Sequence, residues 1–261
     1  MTEVKAEKIS VGYQNEKIID HLSLTLRSRE ITTIIGANGC GKSTLLKALT
    51  RVHPIMDGQL LIDGKSINEK LSTKEVAKKI ALLPQVLEAT DGITVYELVS
   101  YGRFPHQKYL GNLSSEDKDK IHWAMEVTSV VAFANMQVDE LSGGQRQRVW
   151  IAMALAQDTD TIFLDEPTTY LDMNHQLEIL ELLSQLNQTQ GKTIVMVLHD
   201  LNLSSRYSHN LIAMKNGNIK YQGNAKDVMT PDIIRDIFNI EAQLIDDPIY
   251  HKPTLLTYHL L

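Results

Sequence analysis

Apolar and polar residues alternate in the N-terminal part of the chain. Leucine occupies every second position from 22 to 26, and Ser23 and Thr25 lie between. This period of two predicts that residues 18–26 form a half-buried antiparallel strand. Residues 4–11 are predicted to form a strand before it, and residues 59–63 another strand after the turn at 53–58. We therefore expect an antiparallel β subdomain in this part of the chain.

Four other segments are continuously apolar. Residues 31–35, 80–83, 161–164 and 193–198 are rich in isoleucine, valine and leucine. Short runs of this kind are typical of strands that are buried on both faces in a parallel sheet. They predict a parallel sheet as the core of the fold.

Helical patterns fill the intervals between these strands. Residues 44–49 contain no helix breaker, and leucines at 177, 180, 183 and 186 form one stripe of a long helix that stops at Gly191. The pattern of residues 86–158 predicts helices, and the capping-box sequence marks the start of one at Thr94 and of another at Ser114. The pattern predicts an α/β domain with an inserted α-helical subdomain at 86–158. Near the C-terminus it predicts a hairpin turn at Asn216 and Gly217 and a short helix that begins at Pro231.

Composition and charge narrow the class of protein. The chain has 261 residues and a formal net charge of −6, which does not favour nucleic-acid binding. No signal peptide is visible, and no apolar run approaches the roughly 20 residues that span a bilayer. We therefore expect a soluble, intracellular protein.

Residues 36–43 read G-x-x-x-x-G-K-S and lie between a predicted buried strand and a predicted helix. In this context the backbone N–H groups of the loop and the helix N-terminus bind phosphate. Lys42 is expected to reach the β- and γ-phosphates, and Ser43 to bind Mg²⁺. A glycine-rich turn that binds nothing is the alternative, but the context favours a nucleotide site. We therefore expect a P-loop NTPase (RecA-like) core.

The only cysteine, Cys40, lies inside this loop and excludes an intrachain disulfide. Two interpretations of it remain open from the sequence. It is either a reactive thiol at a helix N-terminus or a small residue that fits the loop.

Polar residues follow two of the predicted buried strands. Asp165 and Glu166 come after residues 161–164, and His199 and Asp200 come after residues 193–198. The carboxyl ends of parallel strands share one edge of the sheet, where such folds bind ligands. We therefore expect these side chains to face the phosphate loop.

A further motif, Leu-Ser-Gly-Gly-Gln at 141–145, precedes an apolar helix. Ser142 and Gln145 are three residues apart, so the motif fits a capping box. The motif alone does not distinguish between two interpretations. It is either a plain helix cap or a helix start whose free N–H groups face an anion.

Taken together and in this order, these motifs resemble the ATP-binding subunit of an ABC transporter over essentially the whole chain. The resemblance identifies Walker A at 36–43, the Q-loop residue Gln85, the signature at 141–145, Walker B at Asp165 and Glu166, the D-loop at 170–172, and the switch residue His199. Finer features at 101–106, 146–153 and 166–172 are similar to the ATPases of iron-siderophore, haem and cobalamin importers. Substrate in that family is selected by the binding protein and the permease.

The resemblance also implies a set of site residues. Catalysis would rest on Glu166, His199, Gln85 and Lys42, with Mg²⁺ at Ser43, Gln85 and Asp165. ATP would be bound by Tyr13, stacked on adenine, and by Gly36, Asn38, Gly39, Cys40, Gly41, Lys42, Ser43, Thr44, Ser142, Gly143, Gly144, Gln145 and Asp172.

The resemblance implies partners as well. Two copies would pack head to tail, so that the signature of one closes on the nucleotide of the other. Integral membrane permease subunits would dock beside residues 86–103, a substrate-binding lipoprotein would act indirectly, and nucleic acid would take no part. The chain would then lie peripherally on the cytoplasmic face of the membrane. One ABC domain would span 1–261, with the core and β subdomain at 1–85 and 159–261.

Two other classes of protein share the phosphate-loop motif. A soluble ABC ATPase that acts on nucleic acid or the ribosome usually has two nucleotide domains or a long inserted coiled coil, and this chain has neither. A P-loop kinase has no use for the motif at 141–145.

Overall fold

A six-stranded sheet lies at the centre of the fold. The computed structural model describes residues 2–14, 16–85, 92–107, 112–169 and 171–261. The strands of all the sheets in the described chain are β1 (Val4–Tyr13), β2 (Glu16–Thr25), β3 (Ile31–Gly36), β4 (Asp57–Ile62), β5 (Lys65–Ser66), β6 (Ile80–Leu83), β7 (Thr161–Asp165), β8 (Thr193–Val197), β9 (Asn210–Lys215), β10 (Asn218–Gly223), β11 (Ile240–Asp246) and β12 (Pro253–Leu260).

The helices include those that the pattern predicted, together with others that it did not predict. They are α1 (Lys42–Leu49), α2 (Thr73–Ala77), α3 (Val95–Tyr101), α4 (Ser115–Val127), α5 (Gly143–Ala156), α6 (Met173–Gln190), α7 (Leu201–Tyr207), α8 (Ala225–Val228) and α9 (Pro231–Phe238), with single 3₁₀ turns at Val131–Phe133 and Val138–Glu140. Among the described residues, none of these helices combines the length and the apolar composition that a bilayer crossing requires. The pattern did not predict α2, α7 and α8.

The central sheet has the strand order β10-β9-β3-β8-β7-β6, and all neighbours except β10 and β9 are parallel. Successive residues of each strand face opposite sides, so both faces are apolar. On β7, Phe163 belongs to the cluster under α1, whereas Ile162 and Leu164 belong to the cluster under the helical part. The four predicted parallel strands are confirmed.

The predicted antiparallel subdomain is a second sheet of order β2-β1-β4-β5. Leu22, Leu24 and Leu26 are buried, while Ser23 and Thr25 are exposed, as the alternation predicted. This sheet shares a core with α1 and one face of the central sheet.

Helices α3, α4 and α5 form the helical part over the other face, and α6 packs there too. Both predicted capping boxes are present, since Glu97 reaches back to Thr94 and Asp117 to Ser114. The first predicted residues of the insertion, 86–91, lie outside the described residues, so its boundary at 86 stays a prediction.

The C-terminal part contains both predicted elements, together with α8 and a two-stranded sheet that the sequence pattern did not predict. Asn216 and Gly217 form the β9–β10 turn with φ values of 50° and 74°, the left-handed conformation of a type I′ hairpin. Helix α9 begins at Pro231 with Thr230 as its N-cap. A separate two-stranded sheet of β11 and β12 follows it.

Candidate active site

The phosphate loop joins β3 to α1 at the carboxyl edge of the central sheet. Gly36 has a φ of 153°, and a Cβ on it would lie 2.4 Å from the carbonyl oxygen of Met214. Only glycine fits here. The N-cap of α1 is Gly41 in the left-handed conformation, and no side chain of the described residues caps this helix. Its first N–H groups are therefore available to an anion in the loop.

Lys42 is buried at the start of α1. Its Nζ donates hydrogen bonds to the carbonyl oxygens of Gly36, at 2.9 Å, and Ala37, at 3.1 Å. The loop itself therefore holds the ammonium group where the motif places phosphate oxygens.

Ser43 and Asp165 meet across the sheet edge. The Ser43 hydroxyl donates to Asp165 Oδ1 at 2.9 Å. The other carboxylate oxygen, Oδ2, is buried and has no hydrogen-bond partner among the described residues. Burial raises the pKa of Asp165, although the Ser43 hydrogen bond opposes the shift. A partly buried hydroxyl and an unsatisfied carboxylate oxygen fit hydrated Mg²⁺, which prefers oxygen ligands and keeps several waters.

Glu166 is held by three other side chains. His199 Nε2 lies 2.6 Å from Glu166 Oε1. Gln85 Nε2 and Thr169 Oγ1 donate to Glu166 Oε2 at 2.8 and 3.0 Å. Burial alone would raise the pKa of Glu166, but the hydrogen bonds from His199 and Thr169 outweigh it and hold that pKa below its usual range. The carboxylate is therefore ionised at neutral pH.

The two adjacent carboxylates thus differ in environment. Asp165 has a raised pKa and Glu166 a lowered one. The backbone of Glu166 has a φ of 55°, which is uncommon for a residue other than glycine. This kink turns the Glu166 side chain out of the strand alternation and towards His199.

These residues surround one cleft of about 500 Å³. It is lined by Ile18, Asn38, Gly39, Gly41, Lys42, Ser43, Thr44, Gln85, Glu166 and His199. The contacts of Asp165 and Glu166 bring the ends of β7 and β8 to the phosphate loop, as expected. The expectation for Asp200 is wrong, because its side chain caps the start of α7 and does not line the cleft. Sequence reasoning missed Ile18 and Thr169. Ile18 lies on β2, far along the chain from Gln85, Glu166 and His199. The only sequence feature that links Thr169 to the site is its spacing of three residues from Glu166.

Tyr13 does not line this cleft. It lies at the end of β1, 45% exposed, with its ring centroid 4.4 Å from that of His53. Its stacking on adenine stays a prediction.

Cys40 is buried in the loop, and burial raises the pKa of its thiol. Its carbonyl oxygen accepts a hydrogen bond from Gly217 N at 2.9 Å, so the β9–β10 turn supports the phosphate loop. Of the two interpretations, the structure favours a small residue that fits, because a raised pKa makes a weak nucleophile at neutral pH.

The motif at 141–145 does not line the cleft either. Ser142 accepts from Gln145 N, and Gln145 reaches back to Ser142 N, so the predicted capping box is present at the start of α5. Ser142 and Gly143 are exposed, whereas Gly144 is buried. Asp172 is the N-cap of α6 and is also on the surface. Tyr170, in the same predicted loop, lies outside the described residues.

Comparison with known proteins gives consistent results. The family model described as "ABC transporter" matches residues 19–169. The chain is similar to the iron(3+)-hydroxamate import ATP-binding protein FhuC of Bacillus subtilis (strain 168), with 51% identity over all of this chain and 97% of that protein. It is also similar to the probable siderophore transport system ATP-binding protein YusV of the same organism, with 49% identity over 99% of this chain and 94% of that protein.

A solved structure is similar in both fold and sequence. It is the dimeric structure of a post-hydrolysis state of the ATP-binding cassette MJ0796 bound to ADP and Pi. The TM-score is 0.74 with 31% identity, over 85% of this chain and 98% of that chain.

Proposed function

We propose, from the premise that this chain belongs to the ABC transporter family, that it is the ATP-hydrolysing subunit of an importer for iron-siderophore complexes. The ATPase activity follows from the family. The choice of cargo rests on two relatives whose names specify iron(3+)-hydroxamate import and siderophore transport. A role as an importer subunit is supported over a soluble ABC ATPase that acts on nucleic acid or the ribosome. Both import-related relatives match this chain over nearly their whole length.

The observation that carries the chemistry is the group of contacts on Glu166. An ionised carboxylate, held by His199, Gln85 and Thr169, faces the same cleft as Lys42. In hydrolysis, a water oxygen bonds to the γ-phosphorus while the bond to the β–γ bridging oxygen breaks, which releases ADP and phosphate. Glu166 would orient that water and His199 would contact the γ-phosphate.

Lys42 and the N–H groups at the start of α1 would hold the β- and γ-phosphates. Bound Mg²⁺ would be held by Ser43, by Asp165 through water and by Gln85, and would neutralise charge on the phosphate oxygens. The negative charge of the ATP phosphates would also draw the Lys42 ammonium group away from the carbonyl oxygens of Gly36 and Ala37, which it contacts in this structure.

The signature residues Ser142, Gly143, Gly144 and Gln145 and the D-loop residue Asp172 would act on the nucleotide of a second copy. Their absence from the cleft of their own chain supports this arrangement, as does the dimeric state of the similar cassette. In that arrangement a two-fold dimer holds two ATP molecules between the copies.

Permease subunits would dock on the helical part, and a lipoprotein would deliver the cargo to them. The segment at 101–106 offers an exposed aromatic pair for this contact, because Tyr101 and Phe104 stack with centroids 4.8 Å apart at the end of α3. The chain would then lie on the cytoplasmic face of the membrane.

Uptake of labelled iron tests the cargo. In cells that lack this gene, the wild-type chain is expected to restore uptake of a ferric hydroxamate, and Lys42→Ala is not. Restored uptake of cobalamin or haem, with no ferric siderophore transported, would refute the cargo assignment. Neighbouring reading frames that encode a many-helix permease and a lipoprotein are expected as well.

A further inference from the structure

The two glycines of the signature have different surroundings. Gly143 is exposed, and a Cβ built on it would meet no described atom within 4 Å. Gly144 is buried, and a Cβ built on it would lie 2.6 Å from Cδ2 and 2.9 Å from Cγ of His175. Carbon atoms in contact are normally about 3.5–4 Å apart. A side chain at 144 would therefore displace either the His175 ring or the start of α5 by about 1 Å.

The His175 ring is held in place from its other side. Its Nδ1 lies 2.8 Å from Asp172 Oδ1, and its backbone N–H donates to the same oxygen at 2.9 Å. Asp172 is the N-cap of α6. The imidazole is thus clamped between the D-loop carboxylate and the signature glycine of the same chain.

A second contact joins the same two helices one turn further along. Arg148 on α5 forms an ion pair with Glu178 on α6, and Asn174 donates to Glu178 at 3.1 Å. Arg148 is four residues after Gly144, and Glu178 is three residues after His175, so both contacts lie on the facing sides of the helices. The starts of α5 and α6 therefore form a continuous seam.

We propose that His175 is a positioning residue that fixes the signature helix to the D-loop of its own chain. Residue 144 is glycine to make room for the His175 ring. The signature and the D-loop then approach the partner's nucleotide as one block. This inference rests on the proposed shared-site dimer.

A double-mutant cycle tests the proposal. Gly144→Ala is expected to lower kcat about 100-fold, the loss that a displacement of about 1 Å near a reacting group can cause. In the His175→Ala background the same substitution is expected to change kcat by less than about twofold, because coupled neighbours are not additive. His175→Ala alone is expected to lower kcat by about tenfold, a partial loss of positioning, and to leave MgATP binding by the single chain unchanged.

Gly143→Ala is the matched control. It adds the same methyl group one residue away and meets nothing in its own chain. Its effect on kcat is expected to be equal in the wild-type and His175→Ala backgrounds. If Gly144→Ala does not fold, the same rescue is read from the soluble yield and thermal unfolding of the double variant.

Two results would overturn the proposal. One is full activity of Gly144→Ala, which would mean that the ring simply rotates away. The other is an equal loss from Gly144→Ala in both backgrounds, which would place its need for glycine in the partner's nucleotide. A wild-type chain without MgATP hydrolysis would instead refute the proposed function, and binding of MgATP by each variant separates the two failures.

Discussion

Replacement of the buried Arg103 tests the packing of the helical part. Its side chain is 2% exposed, and its Nε donates to Asp117 Oδ1 at 2.8 Å. Its Nη1 donates to the carbonyl oxygen of Ala156, the last residue of α5, at 2.7 Å. The guanidinium therefore ties the segment after α3 to the start of α4 and the end of α5.

Removal of one partner from a buried ion pair costs about 3–5 kcal/mol, because the other charge is left without compensation. Asp117 keeps hydrogen bonds from the N–H and the hydroxyl of Ser114 when Arg103 is absent. We therefore expect Arg103→Met, which roughly fills the volume, to lower the free energy of unfolding by about 3 kcal/mol, the low end of that range.

Urea unfolding at pH 7, followed by circular dichroism, measures this loss. Asp117→Asn and the double variant complete a cycle, and the double variant is expected to lose less than the sum of the two single variants. A loss below about 1 kcal/mol for Arg103→Met, the value typical of an exposed pair, would refute the reasoning.

The same pair predicts a pH dependence. Burial raises the pKa of Asp117, but hydrogen bonds from Ser114 and Arg103 outweigh it and leave that pKa lowered. A lowered folded-state pKa contributes stability above the unfolded pKa of about 3.9, and this contribution is lost as the pH falls through the folded value. The difference between wild type and Arg103→Met should therefore shrink in acid.

The remaining predictions concern the phosphate loop. Lys42→Ala should abolish MgATP binding in a fluorescent-nucleotide titration, because the phosphates lose their fixed cation, and normal affinity would contradict this. Cys40 should react with maleimide more slowly than a free thiol at neutral pH, since it is buried with a raised pKa. Bound MgATP should slow the labelling of Cys40 further, and the maleimide adduct should block nucleotide binding. Cys40→Ser should keep its ATPase activity. Fast labelling that leaves binding intact would place the thiol outside the loop.

The sequence predicted the parts of the site that depend on local pattern. Glu166 and His199 follow two of the predicted buried strands and line the cleft. Their position was predictable because parallel strands place their carboxyl ends at one edge of the sheet. The capping boxes at Thr94, Ser114 and Ser142 were equally predictable, since the two partners are only three residues apart.

The contacts that the sequence did not predict join segments that are distant along the chain. The spacing of Gly144 and His175 carries no signal, because only the packing of α5 against α6 brings them together. Ile18 enters the cleft from the antiparallel sheet for the same reason. The pattern also gave no sign of the β11–β12 hairpin, whose β12 is largely exposed and thus lacks a buried face to set a period.

The central claim is that two copies complete each other's nucleotide site, and Glu166→Gln tests it most directly. This change keeps the size of the side chain and removes the carboxylate, so turnover should fall by about 10²–10⁴, the contribution of a general base. The bound γ-phosphate then persists. Light scattering at saturating MgATP should report twice the mass of one chain for this variant, and the mass of one chain without nucleotide. A Glu166→Gln chain that binds MgATP tightly yet stays monomeric would contradict the shared site.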